Sequence, residues 1–134
     1  MNLLVDTSVW SLALRRDRQP REPEVGFLAR ALSEGEAIFT TGLILQELLQ
    51  GFRGPKAHEE IVERFAALPL LVPDREDHVQ AAELRNGCRR QGVQVGTIDA
   101  LLAQLSIRHG LALLTTDRDF ERVAELVSLE LWRR

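Results

Sequence analysis

The chain has 134 residues, 45% of them hydrophobic, with a formal charge of −3 and a single cysteine, Cys88. That length suits one domain, residues 1–134, whose folding at this size removes roughly two thirds of the unfolded surface from water. A lone thiol excludes an intramolecular disulfide, its scatter among His58, His78 and His109 offers no zinc spacing, and no apolar run approaches the ~18 residues that span a bilayer.

The N-terminus MNLLVDTS has neither a basic stretch nor a small-residue cleavage site, so a cytoplasmic location is expected. Leu3 to Val5 is a short buried-strand candidate, and Thr7 or Ser8 can open a helix carrying Val9, Trp10, Leu12 and Ala13. After a linker rich in Arg and Pro, Glu24 to Glu34 reads as a helix stopped by Gly35, and AIFT as the second strand. Gly42 to Phe52 is a third helix, and Pro55 suits the first turn of a fourth running to about Ala67. LLV before Pro73 is a third strand, followed by long helices over Asp74 to Arg90 and Thr97 to His109. LALLT is the fourth strand, Asp117 to Glu125 a short helix, and LVSLEL a closing strand. Strands alternating with helices predict an α/β layer fold with a mainly parallel sheet, whose sites lie outside the carboxyl ends of the strands.

Four acids sit at the edges of apolar runs: Asp6 after LLV, Glu47 in LILQELL, Asp99 in GTIDALL and Asp117 after LALLTT. Asp6 and Asp117 fall at strand ends, where each could also cap the helix that follows; Asp99 could be a first-turn acid favoured by the helix dipole. Glu47 is harder to place on a surface. It sits three and four residues from members of a stripe formed by Leu43, Ile44, Leu48 and Gly51, so it should point inward, where a carboxylate costs several kcal/mol unless paired or metal-bound. Asp99 flanks a similar stripe of Ile98, Leu101, Leu102 and Leu105. If the four converge, their repulsion calls for a divalent cation, and Mg²⁺ or Mn²⁺ held by carboxylates is a common means of hydrolysing a phosphodiester.

Sixteen of the seventeen basic residues are arginine, and eight of them gather in RRDRQPR at 15–21, at Arg89 and Arg90, and at Arg133 and Arg134. Guanidinium forks match phosphate and carboxylate geometry, so such clusters could guide RNA or meet acidic surfaces despite the negative total.

DTSVW at 6–10, QEL at 46–48, GTIDALLA at 96–103 and LLTTDRDF at 113–120 resemble, in order and spacing, the four signatures of PIN-domain proteins, in particular VapC-type ribonuclease toxins of toxin–antitoxin pairs. The resemblance implies a PIN-like three-layer α/β/α sandwich, Mg²⁺- or Mn²⁺-dependent endonucleolytic cleavage of RNA, a homodimer, and a small VapB-like antitoxin as partner. Asp6, Glu47, Asp99 and Asp117 match the family's acidic metal-binding residues. Thr7 or Ser8 corresponds to the hydroxyl residue beside the first acid, Thr116 to the one before the last, and Asp119 to a frequent additional acid. On this reading Asp6, Asp99 and Asp117 hold the metal, Glu47 completes the site or orients water, and Thr7, Ser8 and Thr116 support the carboxylates. Trp10, Leu12, Leu14 and the Phe52 region are candidates for an antitoxin groove. Two other readings of the same acids stay open: a Mg²⁺-dependent phosphatase or phosphoryl-acceptor domain with Asp6 as nucleophile, which wants a lysine and finds only Lys56, and a catalytically silent binding module.

Overall fold

Leu3, Leu4 and Val5 have no exposed surface at all, and the strand they form is the centre around which the molecule is built. A computed structural model describes residues 1–134. Strand β1 (Asn2–Val5) pairs in parallel with β2 (Ala37–Thr41) on one side and with β4 (Ala112–Leu114) on the other. Two short strands complete the sheet, β3 (Leu70–Leu71) beside β2 and β5 (Glu130–Leu131) beside β4, giving the order β3-β2-β1-β4-β5 with every pair parallel. Parallel strands buried on both faces need continuous apolar runs, and LLV and ALL supply them.

The helices are α1 (Thr7–Ala13), α2 (Pro23–Ser33), α3 (Gly42–Gly51), α4 (Pro55–Phe65), α5 (Arg75–Arg90), α6 (Thr97–His109) and α7 (Asp119–Leu126). The chain first runs from β1 outward through β2 to β3, then returns to β4 and β5 on the opposite side. Because parallel crossovers are right-handed, that reversal puts α1 to α4 on one face and α5 to α7 on the other. The three-layer sandwich expected from the sequence is therefore present. The reversal also makes the gap between the carboxyl ends of β1 and β4 the topological switch point, where ligands bind in folds of this kind.

Local chemistry explains the helix starts. The Thr41 hydroxyl accepts the Ile44 N–H at 3.1 Å to cap α3, and Asp74 and Asp77 exchange backbone hydrogen bonds in a capping box that opens α5. Helix α6 stops at Gly110, whose φ of 64° is the left-handed conformation that favours glycine. Arg108 in the last turn of α6 meets Asp77 and Asp74 at the start of α5, so these two helices run antiparallel.

Four sequence expectations need correction. LVSLEL is not a six-residue strand: Phe120, Val123 and Leu126 keep the helical period, so α7 continues to Leu126 and only Glu130 and Leu131 pair with β4. Helix α7 starts at Asp119 rather than Asp117, because side-chain bonds hold residues 115–119 in a turn first. Trp10 is core, not surface, with 4% of its area exposed and its ring 4.8 Å from that of Phe65. Ile98 likewise leaves its expected stripe and is exposed, while Leu101, Leu102 and Leu105 are buried as expected. No helix is long and apolar enough to cross a membrane.

Candidate active site

Asp6 directly follows β1 and Asp117 lies three residues beyond β4, so adjacent parallel strands deliver both to one edge of the sheet. Their continuity is backbone-deep: the Asp6 N–H donates to the Leu114 carbonyl at 2.9 Å, extending the ladder right up to the acid. Asp99 enters from the first turn of α6 and Glu47 from the middle of α3, one from each face of the sheet.

Asp6 stands where a helix cap would, yet its carboxylate makes no capping bond to α1. Instead Ser8 Oγ and Thr115 Oγ1 both donate to its Oδ2, each at 2.8 Å, leaving Oδ1 without a hydrogen bond. A carboxylate only 7% exposed, held by two hydroxyls on one oxygen and bare on the other, is oriented rather than neutralised. Ser8 is itself tied down, accepting the Thr116 N–H at 3.1 Å. Thr7 Oγ1 donates to Glu47 Oε1 at 2.9 Å, which fixes the glutamate against the start of α1.

The hydroxyl that reaches Asp6 from the 115–116 pair is that of Thr115, not the expected Thr116, whose backbone N–H does the bonding. Thr115 also accepts the Asp117 N–H at 3.0 Å. The doublet itself was legible in the sequence; which member faces Asp6 depends on how the chain leaves β4. Asp117 Oδ1 in turn accepts the Asp119 N–H at 3.0 Å, so this acid has a structural duty in the turn as well as a place at the edge.

Asp99 reports on the convergence. Its carboxyl is pushed up to about 6, first by burial and then by the charges of Asp6, Asp117, Glu47 and Asp119. The fold thus brings four other acids within electrostatic reach of Asp99, and none of the five takes part in an ion pair. Lys56, which a phosphoryl-acceptor site would want beside Asp6, lies on the exposed first turn of α4.

An all-oxygen donor set with surplus negative charge and a bare Oδ1 has the chemistry of a hard-cation site. The fit is incomplete in one respect: no three of these acids stand close enough to form a ready-made coordination set. Asp6 and Glu47 are held by hydroxyls, whereas the Asp99 side chain has no hydrogen-bond tether.

A five-stranded parallel sheet with an acidic edge at its switch point is the arrangement of a PIN domain, and it is the match of the PIN-domain family model to residues 3–126 that establishes the class. The chain belongs to that family, and within it to the VapC ribonucleases. It is 34% identical over 131 residues both to ribonuclease VapC11 of Mycobacterium tuberculosis and to VapC ribonuclease Mb1587 of Mycobacterium bovis, covering 96% of each chain in either case. Its fold is also that of the DNA-bound VapBC structure from Salmonella typhimurium, with a TM-score of 0.76 at 20% identity over 98% of this chain and 97% of that one.

Proposed function

We propose that this VapC-family ribonuclease is a metal-dependent endoribonuclease, the toxin of a toxin–antitoxin pair. The observation that carries the reading is the group of uncompensated carboxylates around Asp99 at the sheet's switch point. Support comes from the 34% identity to proteins named as ribonucleases over nearly the whole chain.

Asp6, Asp99, Asp117 and Glu47 would hold Mg²⁺ or Mn²⁺, with Asp119 available beside Asp117. A divalent cation there supplies an acidified water as nucleophile and a positive charge for the scissile phosphate and the departing oxyanion. The chain's own part is to set the geometry. Ser8 and Thr115 fix the Asp6 carboxylate through Oδ2 and leave Oδ1 free of hydrogen bonds, and Thr7 holds Glu47 where it can orient a water or accept its proton. Asp99, lifted to about 6 by burial and the neighbouring acids, is the carboxyl whose ionised form a bound cation would favour most. No histidine, lysine or cysteine is needed in the reaction.

The VapBC assembly of the Salmonella neighbour supports a cognate VapB-like antitoxin as partner here too. The two-copy assembly implied by the resemblance completes the reading. Leu14 and Phe52 line an open groove with Arg15 and Arg16, which suits an antitoxin segment better than buried Trp10 does.

The test is cleavage of a structured RNA pool by purified protein with Mg²⁺ or Mn²⁺, run beside EDTA and an Asp99→Asn variant purified identically. Metal-dependent cutting by the parent alone is expected. Equal cutting by parent and variant would assign the activity to a contaminant and remove the proposal.

A further inference from the structure

The arginines at 133 and 134 are distant in sequence from every acid of the site, yet parallel pairing brings them to it. β5 runs alongside β4 in the same direction, with Ala112 opposite Glu130 and Leu113 opposite Leu131. The Trp132 N–H continues the ladder to the Leu113 carbonyl at 3.0 Å. Residues that follow β5 must therefore emerge at the carboxyl edge, next to the segment that carries Thr115, Thr116 and Asp117. They do: Arg133, Arg134 and Arg118 line one cleft of about 370 Å³ with those three residues.

The exit is anchored. The Trp132 ring stacks on that of Phe27 in α2, with centroids 4.7 Å apart and planes 28° from parallel, so the two arginines follow a fixed point rather than a loose end. Both are exposed, as is Arg118. Glu24 and Glu121 share the cleft lining, but none of the three arginines forms an ion pair with them or with any other acid. Five other arginines are engaged, Arg15 with Asp17, Arg16 and Arg64 with Glu60, Arg18 with Glu22 and Arg108 with Asp77; what sets Arg118, Arg133 and Arg134 apart from the remaining unpaired ones is that they share one cleft with Thr115, Thr116 and Asp117. Three free guanidinium groups bordering an acidic catalytic edge are what an anionic polymer needs in order to approach it, because the acids by themselves repel phosphate.

We propose that Arg133 and Arg134, with Arg118, form a phosphate-binding rim that grips the backbone of single-stranded RNA on the β5 side of the acidic edge. The inference rests on the nuclease reading and adds to it the path of the substrate. These are positioning residues. They contact phosphates flanking the cut and carry no sequence information, so their loss weakens all sequences alike.

The experiment measures binding of a fluorescein-labelled 20-nucleotide single-stranded RNA of mixed sequence by anisotropy, across a salt series, in an Asp99→Asn background that prevents cleavage. Each phosphate contact on a single strand contributes about 0.7 to the slope of log affinity against log salt. Arg133→Ala/Arg134→Ala should lower that slope by about 1.4 and Arg118→Ala by about 0.7. Arg75→Ala serves as the charge control and should leave it unchanged. Arg75 is exposed and unpaired at the start of α5, which Arg108 ties to the far end of α6, away from the acidic edge. With Asp99 restored, the double variant should raise KM and leave kcat near that of the parent. An unchanged slope in a protein that cleaves RNA, or a slope reduced as much by Arg75→Ala, overturns the rim and leaves the nuclease standing. A parent that neither cleaves nor binds RNA overturns both.

Discussion

Replacing Asp99 by asparagine should make the metal-free protein more stable while abolishing its activity. In the folded chain the Asp99 carboxyl is raised from 3.8 to about 6 by burial and by four neighbouring acids. At about 1.36 kcal/mol per pH unit this corresponds to about 3 kcal/mol of destabilisation at neutral pH. The side chain is only partly buried, and solvent screening brings the working figure to about half, ~1.5 kcal/mol. For a chain of 134 residues that is a rise in Tm of about 5 °C. The pH dependence has a definite sign. Below 3.8 the acid is neutral in folded and unfolded chains alike, and the variant gains nothing. Between 3.8 and about 6 the unfolded state releases its proton first, so the parent loses stability as pH rises; above 6 the penalty is complete. Melts of parent and variant in EDTA from pH 3.5 to 8 measure the difference directly. A variant less stable than the parent at pH 7, or one whose advantage persists undiminished at pH 3.5, refutes the account of crowded charges and makes Asp99 a structural residue.

Thr115→Val removes the donor to Asp6 Oδ2 and the acceptor of the Asp117 N–H. It should cost about 1–2 kcal/mol in chemical denaturation and lower kcat/KM at least tenfold, with Thr115→Ser restoring most of both. Burial pushes the Asp77 carboxyl up, but the Asp74 N–H and Arg108 outweigh it and hold the group below its ordinary 3.8. Arg108→Ala leaves that carboxylate without its cation at 1% exposure and should cost about 2 kcal/mol, less than the roughly 3–5 kcal/mol of a fully buried pair because Arg108 is itself partly exposed. This deficit is present above pH 4 and shrinks as pH falls further and Asp77 is protonated, the opposite sign to Asp99→Asn, and urea titrations at pH 3 and 7 separate the two. Gly110→Ala forces a side chain into a backbone with φ of 64° and should lose about 1 kcal/mol in the same titrations, with RNA cleavage unaltered.

The sequence by itself determined the alternation of strands and helices, the helix at 97–109 to the residue, and the acids worth watching. These depend on local matters, such as an apolar run long enough for a buried strand, a proline at a first helical turn, or a carboxylate on an apolar stripe, that each segment states without its neighbours. Its failures were of one kind. Trp10 was open to both a core and a partner-groove reading because helical spacing cannot say which side of α1 Phe65 packs on. LVSLEL read as a strand because a run of apolar residues at an edge suits either period until β4 limits what can pair. The resemblance pointed to Thr116 alone, because the doublet carries no record of the turn after β4 that turns the Thr115 hydroxyl to Asp6. Only the tertiary structure decided that Asp6 spends one oxygen on two hydroxyls and bares the other, that Thr7 reaches forty residues along the chain to Glu47, and that parallel pairing of β5 sets Arg133 and Arg134 beside Asp117. Such contacts arise from the order in which strands lie side by side, a long-range property that no single segment encodes.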